Sequence, residues 1–198
     1  MNIKDSDIIF GKQGNLILTA SRQAWYLDRP HKRHVKAAVK MLKVALPYFT
    51  KYVNIDDHVV VRIAGVKKRT TRGHYQSEYK LATIDYRHKL ADIMQTLAHE
   101  LVHAEQYHEG RLAHGHKYPY KQVWQGVSYV GKGKNKHSRY LNQPWEIEAR
   151  DRQINIAHQV WMDMYDDGKI PLDLIKENVG IIWLKRNRRE IYDKFQAE

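Results

Sequence analysis

The chain reads as an α+β protein in which a small mixed sheet packs against one long helix, with additional helices around it. Three observations predict this. Short β-branched or alternating runs occur at Asn15–Thr19, His58–Ala64 and Tyr79–Tyr86. Apolar residues recur at helical spacing from about Lys89 to His108. A second long helical stretch opens at Pro144. With 198 residues, the chain is read as a single domain, 1–198, large enough to bury its own core.

Taken in order, the opening strand Asn15–Thr19 leads to a helix from about Pro30 to Tyr48. There Val35, Val39, Leu42 and Leu46 fall on one face, and Lys32, Lys36, Lys40 and Lys43 lie away from it. The strands His58–Ala64 and Tyr79–Tyr86 enclose VKKRTTRGHYQSE, which reads as a basic loop. In the helix from Lys89 to His108, Leu90, Ile93, Met94, Leu97, Leu101 and Ala104 form an apolar seam, while His99, His103 and Gln106 occupy another stripe. Gly110–Tyr120 reads as a glycine- and histidine-rich loop, Val123–Val130 as one strand and Gly131–Arg139 as a basic loop. The helix opened by Pro144 extends to about Tyr165, and one C-terminal helix carries WLKRNRREIYDK. No internal repeat is present.

Composition excludes several chemistries. There is no cysteine, which rules out disulfides, thiolate metal sites and cysteine nucleophiles and leaves imidazole and carboxylate to hold any transition metal. The N-terminus MNIKDSDIIFGKQGN lacks a secretory pattern and no apolar run is long enough to span a bilayer, so a soluble, cytoplasmic protein without a membrane partner is expected. A net charge of +12 favours a polyanionic partner, with non-specific nucleic-acid binding the leading candidate if KKRTTR, GKGKNKHSR and KRNRR converge on one face.

The motif that carries chemistry is AHELVHAEQ. Residues four apart share a helix face, so His99 and His103 can present imidazole nitrogens to one Zn2+. Glu100, one position round, is placed to take a proton from water as general base. A catalytic zinc needs a third protein ligand. The candidates downstream are His114 in AHGHKY and Glu146 and Glu148 in NQPWEIEARD.

AHELVHAEQ followed by PWEIEA resembles the small zinc metallopeptidase-like proteins of bacteriophages and the wider gluzincin group, in which a glutamate directly before alanine is a ligand. That resemblance implies a zincin-like fold and Glu148, followed by Ala149, as the third ligand, with Asp151 as a histidine partner and Glu146 as the rival ligand. HELVHAEQYHEGRLAHGHKY is similar to the SprT-like and Spartan group, which would make His114 the ligand, with Gly115 and Tyr118 matching the pattern and proteins bound to nucleic acid as substrates. The spacing from helix to His114 is shorter here than in that group.

The expected reaction is peptide-bond hydrolysis by zinc-activated water, with Tyr129, His137 and Tyr140 as candidate oxyanion donors. The strand ending at Tyr86 resembles the edge strand on which zinc peptidases lay an extended substrate. The alternatives are a nucleic-acid-binding protein retaining a non-catalytic zinc fold, and a zinc hydrolase with a non-protein substrate. His108, His114 and His116 read as solvated loop residues rather than a second metal site, His158 as packing or surface, and Trp124, Trp145, Trp161 and Trp183 as core or groove residues.

Overall fold

A computed structural model of the chain describes residues 7–25, 29–66, 71–115, 122–129 and 140–197. The strands are β1 (Asp7–Gln13), β2 (Leu16–Ser21), β3 (Val59–Ala64), β4 (Gly73–Gln76), β5 (Leu81–Asp85), β6 (Leu112–His114), β7 (Gln122–Trp124) and β8 (Val127–Tyr129). The helices are α1 (Arg22–Trp25), α2 (Arg29–Phe49), α3 (Leu90–His108), α4 (Pro144–Asp166), α5 (Leu172–Asn178), α6 (Ile181–Asn187) and α7 (Arg189–Ala197).

Five strands form one mixed sheet in the order β1-β2-β3-β5-β4. The inner three, β2, β3 and β5, run parallel, and the edges β1 and β4 are antiparallel to their neighbours. The inner strands are buried along almost their whole length, which is why VVVRIA reads as a nearly continuous β-branched run rather than an alternating one. Leu16, Leu18, Val59, Val61, Ile63, Ala82 and Ile84 join one core with Val35, Leu42 and Leu46 of α2 and Met94, Leu97 and Leu101 of α3. Each such buried Val, Leu, Ile or Met side chain contributes about 1.5–3 kcal/mol.

A mixed α+β architecture is therefore present, and several element expectations are corrected. The segment read as a basic loop contains β4, whose GHYQ is too short and polar to signal a strand. Strand β5 is interior, between β3 and β4, so the open edge beside α3 belongs to β4. Val123–Val130 is not one strand. A turn at Gln125 and Gly126, both with positive φ (49° and 79°), divides it into β7 and β8, the backbone a type I′ hairpin requires. On its other side β7 pairs with β6, which lies in the stretch read as loop, and the three form a second sheet in the order β6-β7-β8. The single C-terminal helix is three short ones, α5 to α7.

The turn from β5 into α3 is fixed by Asp85. Its fully buried carboxylate accepts the Arg87 Nε (2.8 and 3.0 Å) and the backbone N–H groups of Arg87 (3.0 Å) and Val66 (3.2 Å). Burial works to raise its pKa, but these donors outweigh burial and hold the carboxyl below its ordinary range. Among the described residues, no helix is long and apolar enough to cross a membrane.

Candidate metal centre

Helix α3 presents its apolar seam, Ile93, Met94, Leu97 and Leu101, to the sheet and to α4. The packing turns His99 and His103 towards the first turn of α4, where Gln143 precedes Pro144 at the start of the helix. Proline suits that turn because it lacks only an N–H that would be unbonded anyway, and the helix dipole there favours the carboxylate of Glu146.

The two Nε2 atoms stand 3.1 Å apart, and each lies 3.4 Å from a Glu146 carboxylate oxygen, Oε2 for His99 and Oε1 for His103. A tetrahedral ion with bonds of about 2.0 Å requires neighbouring ligand atoms roughly 3.3 Å apart; here the two contacts to Glu146 end on different oxygens, and one donor atom from each of the three side chains lies within 4.8 Å of the other two. The outer nitrogens are already engaged. His99 Nδ1 contacts Gln153 Oε1 at 2.9 Å and His103 Nδ1 contacts Gln106 Oε1 at 2.9 Å. Gln106 Nε2 donates to the Trp145 carbonyl at 3.1 Å, which fixes the amide so that its oxygen faces the ring. Each Nδ1–H then donates, and each Nε2, on giving up the proton it shares with Glu146, offers a lone pair to a metal.

Of the two glutamates the structure brings Glu146, and not the expected Glu148, beside the histidines. Residues two apart on a helix point about 200° away from each other, so only one of the two can face α3's histidines. Glu148 turns to Arg111, and to Arg152 Nη1 at 3.1 Å. Arg152 also contacts the buried Glu105, whose Oε1 accepts the Asn54 N–H at 2.6 Å. Glu148 thus belongs to a charged cluster clamping α3 to α4. His114 is also elsewhere, its Nε2 lying 2.6 Å from Ser77 Oγ. Asp151 is exposed, and Gln153 holds His99 in its place.

Glu100 is buried against this group. Burial chiefly raises its pKa and the charge of Glu146 adds to this, against the opposing influence of both imidazoles and a backbone hydrogen bond from Tyr75 of β4. Glu146 behaves in the opposite way. Burial pushes it up, but His103, His99 and the Tyr140 hydroxyl prevail and hold the carboxyl at about 2. A cleft of about 850 Å³ opens in front, lined by Gly73, Thr96, His99, Glu100, Tyr140 and Glu146, with Arg72 and Arg150 at its sides. Gly73 is required there. A Cβ on it would stand 2.6 Å from Thr96 Cγ2, 3.0 Å from the Thr83 carbonyl oxygen and 3.2 Å from Glu100 Oε1.

Of the suggested oxyanion donors, Tyr140 lies at the cleft, whereas the Tyr129 hydroxyl is spent on the Asn142 carbonyl at 3.1 Å. His137, His116, Tyr118 and the basic segment Gly131–Arg139 lie outside the described residues. In the other basic segments, Arg72 pairs with Asp92, Arg188 with Asp166 and Arg189 with Asp193. Sequence reasoning missed Gln153 and Gly73, which no local pattern distinguishes, and it noted Gln106 only as part of the histidine stripe.

The comparisons leave the geometry to stand alone. No protein-family model matches the chain, and neither the curated proteins nor the solved structures contain a match.

Proposed function

We propose that this chain is a zinc-dependent metallopeptidase of minimal, zincin-like type. His99, His103 and Glu146 are its metal ligands and Glu100 its general base. The observation carrying this reading is the group of two imidazole nitrogens 3.1 Å apart and one carboxylate, with one donor atom from each side chain within 4.8 Å of the others, beside the buried Glu100. Two neutral imidazoles with one carboxylate and no thiolate suit Zn2+. An HExxH helix lying against an antiparallel edge strand supports the family resemblance.

When bound, the ion would polarise the scissile carbonyl and lower the pKa of a water molecule. Glu100 receives that water's proton as its oxygen attacks the carbonyl carbon, and passes it to the departing amine as the C–N bond breaks. The raised pKa of Glu100 suits it to both transfers. Gln153 and Gln106 hold the rings in the tautomer that leaves Nε2 free. Tyr140, whose hydroxyl bonds Glu146, is the candidate oxyanion donor that lines the cleft among the described residues. The net charge of +12 makes proteins seated on a polyanion the first substrates to try.

The purified protein is expected to carry zinc stoichiometrically and to lose it in His99→Ala. Glu100→Gln should keep the metal and hydrolyse peptides at least about a hundredfold more slowly. Wild type without zinc affinity, or undiminished hydrolysis by Glu100→Gln, would refute the proposal.

A further inference from the structure

We propose that the substrate is read at a second place. A pocket of about 480 Å³ at the far end of β4 receives one bulky apolar side chain, two or three residues N-terminal to the scissile bond. This deepens the hydrolytic reading and rests on it.

Strand β4 joins the two cavities, since Gly73 lines the metal cleft and Tyr75 and Ser77, further along the chain, line the pocket. The Asp85 N–H bonds the Arg72 carbonyl at 2.8 Å, and the register alternates from there. The backbone groups of Gly73 and Tyr75 therefore face away from β5; the Tyr75 N–H already donates to Glu100, which leaves the Gly73 N–H and carbonyl and the Tyr75 carbonyl on the open edge. An extended chain can pair with them, and an antiparallel one runs from the pocket towards the cleft.

Helix α3 gives the spacing. Glu100 lies at the cleft, and Ala104 and Tyr107 lie at the pocket. Four to seven residues of helix span roughly 6–10 Å, and an added strand covers that in two or three residues of about 3.3 Å each. Because strand side chains alternate, one of those residues points into the pocket and its neighbour does not.

The pocket's walls select what enters. Ile55, Val59, Ala104 and Leu112 form an apolar lining, and Tyr75 and Tyr107 add rings with centroids 5.9 Å apart. Tyr107 also stacks on His114 at 5.3 Å, and the contact of His114 with Ser77 bridges β6 to the end of β4. An aromatic guest meets ring edges and faces there. At the rim Asp57 pairs with Lys80, and Glu78 contributes a negative charge that disfavours acidic side chains.

The test uses zinc-loaded Glu100→Gln and fluorescent peptides in which Phe or Ala occupies one position at a time, with binding read by anisotropy and cleavage by wild type measured in parallel. Phe should outbind Ala by roughly tenfold to a hundredfold at one position, two or three residues upstream of the cleaved bond. Ala113→Trp, on the half-buried wall, should abolish the preference with unchanged thermal stability, and Tyr107→Leu should shift it from Phe towards Leu. Equal binding at every position, a preference downstream of the bond, or one that survives both variants would overturn the pocket assignment. A Phe preference that is sensitive to Ala113→Trp, found with peptides that wild type never cleaves, would support the pocket and overturn the hydrolytic reading instead.

Discussion

Glu146→Gln and Glu148→Gln, compared side by side, separate metal binding from helix clamping at two positions of the same helical turn. Glu146 offers one oxygen to each histidine, whereas Glu148 bonds Arg111 and Arg152. Altering a residue that merely orients a ligand costs 10- to 100-fold in metal affinity, so removing the ligand's own charge should cost about 100-fold or more, roughly 2.7 kcal/mol. Glu148→Gln breaks charge-assisted hydrogen bonds that are about three-quarters shielded from solvent. Such bonds are each worth about 1.5–3 kcal/mol, and a net loss of about 2 kcal/mol lowers Tm by roughly 4–8 °C in a chain of this size. Zinc affinity is measured by competition with a chromophoric chelator, and stability by thermal unfolding with excess EDTA. The expected result is a crossed pattern, with affinity lost in Glu146→Gln and Tm lost in Glu148→Gln. Equal losses of zinc affinity in the two variants would refute the assignment.

Gln153→Ala and Gln106→Ala should each weaken zinc binding by about 10- to 100-fold while leaving a stoichiometry of one, as the same chelator competition would report. Gly73→Ala should destabilise the protein by about 1–3 kcal/mol in urea unfolding, because its Cβ collides with Thr96 and the backbone of Thr83; wild-type stability would contradict the close approach. His158 is buried against Trp183, its Nδ1 has no hydrogen-bond partner among the described residues, and burial lowers its pKa. The unfolded chain therefore takes up the proton first, and the stability His158 contributes is present above the unfolded pKa of about 6.5 and lost as pH falls below it. The slope of stability against pH between 5 and 6.5 should be shallower in His158→Leu by up to about 1.4 kcal/mol per pH unit, and identical slopes would count against this.

What the sequence disclosed depended on the range of the signal. The seam Ile93, Met94, Leu97, Leu101 repeats over more than two turns, and a spacing of four is a property of one helix, so α3 and the pairing of His99 with His103 were readable locally. Which glutamate completes the group depends on how α4 is rotated about its own axis against α3. That rotation is set by contacts such as Gln106 with the Trp145 carbonyl and Arg152 with Glu105, between residues 39 and 47 positions apart. Strand β4 was hidden for a different reason. Four residues preceded by a basic run carry no alternation, and their strand character comes from pairing with Leu81–Ile84. The hairpin β7–β8 was concealed because Gln125 adopts a backbone conformation that glutamine seldom signals.

The arginine-glutamate cluster below the histidines has one further consequence. Glu105, Arg152, Glu148 and Arg111 tie α3 to α4 through groups that are not metal donors, and Tyr52 and Asn54 extend the tie to the segment after α2. The coordinating corner thus inherits its shape from scaffolding that owes nothing to the ion. Unlike a finger domain, whose architecture collapses in a chelating bath, this protein should release and regain its metal as a cup releases and regains water.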